Sequence, residues 1–212
     1  MRRGAFLTIE GLEGAGKSSS IATISKVLKN KMIPYISTRE PGGTELGEHV
    51  RDILLATSQE PMQPMTELLL MFASRAEHIS RVINPHINSG DWVVCDRFID
   101  SSFAYQGGGR GLNLSTIQDL ERLSLPKTRP DHIFILDIPV EEGLKRAESR
   151  GERDRFEQED IIFFERARKV FLDRSHGNPI YTVIDASNSE QQVQADIREH
   201  LETFIEHFKK TI

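Results

Sequence analysis

The sequence predicts an α/β fold in which a five-stranded parallel sheet carries helices on both faces. Short β-branched, apolar runs alternate with longer amphipathic segments along the 212 residues, as is typical of parallel strands joined by helices. The runs WVVC and HIFIL are almost continuously apolar, which is expected of strands covered on both sides. A glycine-rich turn separates the first predicted strand from the first predicted helix, where such folds place a binding site.

The predicted strands are, in chain order, FLTIE, PYIST, WVVCD, HIFILD and YTVIDA. Helices are expected over about 17–31, within about 45–88, over about 115–125 and over about 189–210. Three polar segments interrupt the alternation: REPGGTELG at 39–47, YQGGGRGL at 105–112 and SRGERDRFEQED at 149–160. Because loops at the carboxyl ends of strands form the site in such folds, we expect specificity and motion in these segments.

Composition excludes some classes of function. A net charge of −5 argues against a general nucleic-acid binder, whose surface would be basic. No apolar run approaches the length of a membrane span, and MRRGAFLTIE leads directly into the first strand, which leaves no room for a signal peptide. The single cysteine, Cys95, excludes an internal disulfide. We therefore expect one cytoplasmic domain over 1–212 with no nucleic-acid or membrane partner.

The glycine-rich turn matches the phosphate-binding motif G-x-x-x-x-G-K-[ST] over residues 11–18. Its glycines let backbone N–H groups converge on phosphate oxygens, and Lys17 supplies a charge for the β- and γ-phosphates. The predicted fold is therefore of the P-loop NTPase class with a nucleoside triphosphate as ligand; an ordinary glycine-rich turn is the alternative. The expected ATP-binding residues are Gly11, Leu12, Glu13, Gly14, Ala15, Gly16, Lys17 and Ser18.

Four arginines, Arg39, Arg51, Arg75 and Arg97, follow the P-loop on several predicted loops and helices. One P-loop accounts for one triphosphate, and guanidinium groups bind phosphate in a bidentate manner. Taken together they indicate a second phosphate-bearing ligand, although each one alone could be an exposed surface residue. The guanine-recognition motif N-K-x-D of GTPases does not occur.

Asp96 and Arg97 follow the buried strand WVVC directly. A carboxylate at the end of a strand beside the P-loop strand is positioned to hold Mg²⁺, and Arg97 to hold a phosphate. Ser18 of the P-loop is the second expected Mg²⁺ ligand. The alternative is a surface ion pair at the end of a strand.

The segments IEGLEGAGKS, TREPGGT, VVCDRFIDSSFAYQGGGRGL, RPDHIFILD and RGERDRFEQE, in this order, resemble bacterial thymidylate kinases over nearly the full length. The resemblance implies transfer of the γ-phosphoryl group of ATP to dTMP, giving dTDP for dTTP biosynthesis. It also implies Mg²⁺ as cofactor and a homodimer.

The resemblance further implies roles for single residues. Arg51 and Arg97 would hold the dTMP phosphate with Arg39 close by, and Glu13 would face the 3′-hydroxyl. Arg75, Ser102 and Gln106 would contact thymine, and Tyr105 would close over the deoxyribose. The family commonly stacks an aromatic residue on thymine four positions before this arginine. That position is Met71 here, and we expect Phe72 to take the role, since both spacings share a helix face.

The resemblance also implies a short mobile lid over about 149–160. One branch of the family has an arginine inside the P-loop, and residues 12–15 contain none, so the lid should supply the charge that stabilises the transferred phosphoryl group. Arg150 is the first choice and Arg155 the second among Arg150, Arg153 and Arg155. The expected catalytic residues are Lys17, Arg97, Arg150 and Arg155.

Two other kinds of protein remain open from the sequence. A nucleotide-dependent switch would hydrolyse ATP slowly without an acceptor. A kinase acting on nucleosides or on another monophosphate would share the motif and differ in its acceptor.

Overall fold

The computed structural model describes residues 3–125, 128–148 and 154–211. Within these ranges the sheet consists of β1 (Phe6–Gly11), β2 (Tyr35–Arg39), β3 (Trp92–Asp96), β4 (His132–Asp137) and β5 (Tyr181–Asp185). Every neighbouring pair is parallel, and the strand order is β2-β3-β1-β4-β5. The predicted five-stranded parallel sheet is confirmed, with β3 beside the P-loop strand.

The helices of the described ranges are α1 (Lys17–Asn30), α2 (Glu45–Leu55), α3 (Pro64–His78), α4 (Asn84–Ser89), α5 (Ile99–Ser102), α6 (Leu114–Ser124), α7 (Val140–Glu148), α8 (Ile161–Ser175) and α9 (Glu190–Thr211). A π-helical segment, Ile79–Ile83, joins α3 to α4, and a second, Phe103–Gly109, extends α5. Searching these ranges for a helix long and apolar enough to cross a bilayer finds none.

Helices cover both faces of the sheet because the side chains of each strand alternate in direction. Leu7 and Ile9 of β1 pack with α1 and α9 in one buried cluster, whereas Phe6 packs on the opposite face in a cluster with α3 and α6. A third cluster joins Ile133 and Ile135 of β4 to α8. The predicted two-sided covering of the strands is confirmed.

The segment YQGGGRGL differs from its prediction as a polar loop. Residues Tyr105 to Gly109 belong to the second π-helical segment, and most of them are buried. A Cβ at Gly108 would lie 2.7 Å from the carbonyl oxygen of Arg166, and one at Gly109 would lie 2.3 Å from the ring of Phe163. These glycines allow α8 to pack closely against the segment, so they serve packing and not loop motion.

Candidate active site

A pocket opens at the carboxyl ends of β1, β2 and β3. Because these three strands are neighbours and parallel, the segments that follow them meet at one edge of the sheet. The predicted site residues that line this pocket are Glu13, Gly14, Gly16, Lys17, Ser18, Arg39, Arg51, Arg75, Asp96, Arg97, Ser102, Tyr105 and Gln106. Residues distant in sequence therefore converge on one site, as the sequence predicts.

The P-loop follows β1 and ends where α1 begins at Lys17. Gly14 and Gly16 have φ angles of 75° and 89°, a left-handed conformation that favours glycine. Leu12 and Ala15 point into the buried clusters and not into the pocket. Of the predicted ATP-binding residues, these two can therefore contribute only backbone groups to the ligand.

Lys17 lies inside the curve of the P-loop. Its Nζ donates to the carbonyl oxygens of Gly11 at 3.1 Å and Leu12 at 2.9 Å. Burial, followed by the nearby charge of Arg97, lowers the pKa of Lys17 to about 8. Phosphate oxygens in the pocket would offset both effects, because an anion stabilises the protonated amine.

Arg97 joins β3 to the P-loop. Its backbone has φ 66°, and its guanidinium donates to the carbonyl oxygen of Gly11 at 2.9 Å and to Oε1 of Glu13 at 2.8 Å. The hydroxyl of Tyr105 donates to Oε2 of the same Glu13 at 2.8 Å. The glutamate inside the P-loop is therefore fixed by Arg97 and Tyr105, which both line the pocket.

Arg39 and Arg51 add positive charge to the same wall. Arg39 donates to Glu48 at 2.6 Å, and Arg51 donates to the carbonyl oxygen of Pro41 at 3.0 Å. Burial, followed by the charge of Arg39, lowers the pKa of Arg51. Like charges that lie close together are stabilised by a bound anion, which fits a phosphate at this wall.

Arg75 is almost fully buried at the deep end of the pocket. Its Nε donates to Glu40 at 2.6 Å, Nη1 to Oγ of Ser102 at 2.9 Å and Nη2 to the carbonyl oxygen of Phe98 at 2.9 Å. Glu40 also pairs with Nδ1 of His78 at 3.0 Å. A guanidinium has five N–H groups, so two are left for a ligand in this fixed orientation.

The expectation that Phe72 stacks on a base requires correction. Phe72 is buried in the cluster that contains Phe6, whereas Met71 lies in the pocket wall. In a helix of 3.6 residues per turn, Met71 is rotated by about 40° from Arg75 and Phe72 by about 60° in the opposite sense. The two residues thus diverge, and the ring of Phe72 lies beside the guanidinium of Arg75 at 5.1 Å.

The structure treats the two expected catalytic arginines of the lid, Arg150 and Arg155, differently. Arg150, with Arg153, lies outside the described residues. Arg155 lies outside the pocket wall: its Nη1 donates to the buried carboxylate of Glu67 at 2.6 Å, and its Nε to the carbonyl oxygen of Leu54 at 2.8 Å. Arg155 therefore stabilises its own part of the predicted lid segment in this structure, and a contact with a phosphate would require it to leave both partners.

Asp96 fits a role at a Mg²⁺ site. Its Oδ1 is buried and has no hydrogen-bond partner among the described residues, and Ser18 lines the same pocket. An unpaired buried carboxylate oxygen beside a phosphate site suits a cation or a water molecule on it. Glu10, by contrast, lies beneath the pocket and accepts from the backbone of Phe98 at 2.7 Å and from Ser101 at 2.6 Å.

Several residues in or beside this pocket are not predicted from the sequence. Glu40 belongs to the segment TREPGGT, and its charge opposite a buried arginine could have suggested it. Asp154, Phe156 and Glu157 also line the pocket; they lie within the predicted lid segment 149–160, although none of them is among the expected site residues. The sequence predicts this segment near the site, but which of its side chains face the pocket depends on the tertiary fold.

Fold and site together define a P-loop nucleotide-binding protein whose pocket has a triphosphate end and a second, arginine-rich end. A family model described as thymidylate kinase matches residues 9–197. The chain belongs to the thymidylate kinase family.

Individual relatives agree with the family match. The chain is 47% identical to a thymidylate kinase of Teredinibacter turnerae over 203 residues, which cover 95% of this chain and 99% of that protein. It is 48% identical to one of Ectopseudomonas mendocina, with 96% and 97% covered. A crystal structure of thymidylate kinase from Ehrlichia chaffeensis matches with a TM-score of 0.74 and 31% identity, covering 94% of this chain and 99% of that one.

These matches confirm the predicted class of enzyme. The chain is a nucleoside monophosphate kinase that phosphorylates dTMP to dTDP, and ATP is the family's phosphate donor.

Proposed function

We propose that the pocket at the carboxyl ends of β1, β2 and β3 holds ATP and dTMP end to end and transfers the γ-phosphoryl group between them. The observation that carries this proposal is the convergence of Lys17 with Arg39, Arg51 and Arg97 on one pocket. Two polyanions repel each other, and fixed positive charge on both sides offsets that repulsion.

The P-loop forms the donor end. Its backbone N–H groups and the first turn of α1 would bind the phosphates of ATP. Lys17 would exchange the carbonyl oxygens of Gly11 and Leu12 for the β- and γ-phosphates.

Arg51 and Arg97, with Arg39 nearby, would hold the phosphate of dTMP at the acceptor end. Glu13 would accept a hydrogen bond from the 3′-hydroxyl, and its contact with Tyr105 keeps that carboxylate in place. Arg75, Ser102 and Gln106 would contact the base, with Met71 in the wall beside it.

The acceptor is already ionised, so the chain does not need a general base. An oxygen of the dTMP phosphate attacks the γ-phosphorus, and the bond to the β-phosphate oxygen breaks as ADP leaves. The protein's task is to align the two phosphates and to neutralise their charge.

Mg²⁺ is part of the proposal, held by Ser18 and by Asp96 directly or through water. When bound, it would neutralise charge on the β- and γ-phosphates. The unpaired Oδ1 of Asp96 supports this assignment.

A homodimer is proposed through the face shared by α2 and α3. Leu46, Ile53, Met65 and Leu69 on this face are each at least 41% exposed, and apolar side chains clustered on a surface favour association. A cytoplasmic location is proposed from the resemblance to bacterial enzymes.

The acceptor is tested by measuring ADP release with dTMP, dUMP, dCMP, dGMP and thymidine in separate reactions. We expect strong turnover with dTMP. Turnover with thymidine in its place would support a nucleoside kinase, and ATP hydrolysis independent of any acceptor would support a switch.

The lid is tested by comparing Arg150→Ala with Arg155→Ala. Loss of a transition-state arginine costs about 10³ to 10⁵ in rate in related phosphoryl transfers, so Arg150→Ala should lower kcat far more than it weakens dTMP binding. Arg155→Ala should lower the melting temperature, because Glu67 loses a buried partner. An unchanged kcat in Arg150→Ala would eliminate its assignment.

A further inference from the structure

Glu67 is a fully buried carboxylate in the first turn of α3, with 0% of its surface exposed. Its Oε1 accepts from Nε2 of Gln106 at 2.8 Å, and its Oε2 accepts from Nη1 of Arg155 at 2.6 Å. Nε of Arg110 lies within 3.3 Å of both oxygens. Three side chains from two distant parts of the chain are thus held by one carboxylate.

This contact sets the orientation of the Gln106 amide. A carboxylate between two guanidinium groups accepts hydrogen bonds and donates none. Nε2 of Gln106 must therefore face Glu67, since the reversed amide would place two acceptor oxygens against each other. Gln106 also lines the pocket, and Oε1 is the end of its amide left for a ligand.

The neighbouring groups are fixed by buried partners in the same way. Arg75 is a donor only, held by Glu40. Oγ of Ser102 accepts from Arg75, so its own proton is available to the pocket. The pocket therefore offers two donors and, at Gln106, one acceptor.

This arrangement of two donors and one acceptor suits a pyrimidine base with keto groups. Thymine presents two carbonyl oxygens with an N3–H between them, whereas cytosine presents an unprotonated N3 and an amino group. An acceptor at Gln106 would bind the N3–H of thymine and would meet a lone pair on the N3 of cytosine.

Building on the proposed function, in which this pocket holds the base of dTMP, we propose that Glu67 is a positioning residue for base selection. It fixes Gln106 with its oxygen toward the base, so that the pocket favours a ring N3–H. It acts through Gln106 and touches no substrate itself.

The same carboxylate connects base selection with residues 154–157, which lie within the predicted lid segment. Arg155 of that segment is held by Glu67 and by the carbonyl oxygen of Leu54, and its neighbours Asp154 and Phe156 line the pocket. Glu67 therefore anchors both the group that selects the base and the wall beside it.

The variant Glu67→Gln should reverse the Gln106 amide. A glutamine at this position has only one oxygen, for which Arg155 and Gln106 compete. The charged donor forms the stronger bond, so the new NH₂ group would face Gln106 and turn its oxygen away from the pocket. The base would then meet a donor.

The experiment measures kcat/KM of the full chain for dTMP, dUMP and dCMP. In Glu67→Gln we expect the preference for dTMP over dCMP to fall by about tenfold or more, since a mismatched hydrogen-bond group dominates such discrimination. The preference for dTMP over dUMP should stay within about threefold, because both bases carry N3–H. General damage to the pocket would not lower the preference for dTMP over dCMP while it left the preference for dTMP over dUMP unchanged.

Arg110→Met is the matched control. It removes another hydrogen-bond partner of Glu67 and leaves the contact with Gln106, so the dTMP to dCMP ratio should match the parent. Gln106→Leu removes the acceptor and should lower that ratio as Glu67→Gln does. If Glu67→Gln does not fold, combining it with Arg155→Gln removes the charge that Arg155 would leave unpaired. Arg110, which lies beside both Glu67 oxygens and retains Glu159, then competes with Gln106 for the single oxygen, so the ratio should fall there too.

The inference would be overturned if kcat/KM for dTMP relative to dCMP were the same as in the parent in the folded Glu67 variant or in Gln106→Leu. An equal fall of this ratio in Arg110→Met would also overturn it. Failure of the parent to turn over dTMP would overturn the proposed function instead.

Discussion

Arg75 shows how the structure can fix a single side chain of the pocket. Its guanidinium holds Glu40, Ser102 and the backbone of Phe98, and only 2% of its surface is exposed. A planar fork can reach all three partners while it presents its remaining N–H groups to the pocket. An ammonium group has three donors on a flexible stem and cannot reproduce this arrangement.

We therefore expect Arg75→Lys to raise KM for dTMP by about tenfold or more, because hydrogen bonds to a charged group contribute about 1.5 to 3 kcal/mol. Steady-state kinetics at saturating ATP would measure it. Arg81→Lys is the matched control, since Arg81 lies on the following π-helical segment in an exposed pair with Glu77. A KM equal to that of the control would contradict the role of Arg75.

Met71 and Phe72 show where prediction of single residues fails. The spacing to Arg75 places both on the same side of the helix, and the sequence alone does not decide between the pocket and the core. The decision depends on how α3 is rotated against β3, which is a tertiary quantity. The P-loop is different, because its chemistry is local and its residues are recognisable from spacing alone.

At the scale of elements, α7 supports the P-loop through a contact between two glycines. A Cβ on Gly14 would lie 1.9 Å from the carbonyl oxygen of Gly143, and a Cβ on Gly143 would lie 2.7 Å from that of Glu13. Neither glycine is fixed by the phosphate-binding motif. The close approach of the two backbones therefore explains why both positions are glycine.

Gly143→Ala tests this contact. Alanine is preferred over glycine inside a helix by about 1 kcal/mol, so a helix without tertiary contacts would be stabilised. Here the added methyl group should displace the P-loop, lowering kcat/KM for ATP and destabilising the fold by about 1 to 3 kcal/mol.

Lys145→Ala, at an exposed position of the same helix, is the control. It should leave kcat/KM for ATP and the free energy of unfolding near the parental values. Kinetics and urea unfolding measure them. A stabilised Gly143→Ala with normal ATP kinetics would show that the contact is not needed.

The elements differ in how far their sequences determine them. The strands and the helices α1 and α9 are predicted because apolar periodicity and strand composition are local signals. The run Gly107–Gly109 is not, since three consecutive glycines are typical of a loop. The cause at Gly108 and Gly109 is the close packing of α8, formed by residues about 55 positions further along, whereas Gly107 packs against Leu114 and Ile117 of α6.

At the scale of the whole molecule, two buried groups give stability opposite dependences on pH. Burial, followed by the charge of His200, lowers the pKa of His132 from 6.5 to about 4. Burial, followed by the charge of Asp100, raises the pKa of Glu10 from 4.5 to about 7. Each shift corresponds to about 3 kcal/mol when fully developed.

The unfolded chain binds more protons at His132 between pH 6.5 and 4, so this contribution to stability is lost as pH falls through that range. The folded chain binds more protons at Glu10 between pH 4.5 and 7, so that contribution is lost as pH rises through it. Glu10→Gln should remove the decline in the free energy of unfolding toward pH 7. His132→Gln should remove its decline toward pH 4. Urea unfolding at several pH values would measure both slopes, and parental slopes in the variants would contradict these assignments.

The pocket is also assembled from the P-loop near one end of the chain and from Asp154 to Glu157 far along it. During synthesis, a nascent chain that has reached only β4 lacks Asp154, Phe156 and Glu157 of the pocket lining and Arg155, a partner of Glu67. A nucleotide that binds only the complete pocket stabilises only the complete fold. Cellular dTMP would thus act as a late check on folding, favouring finished molecules over partly emerged ones.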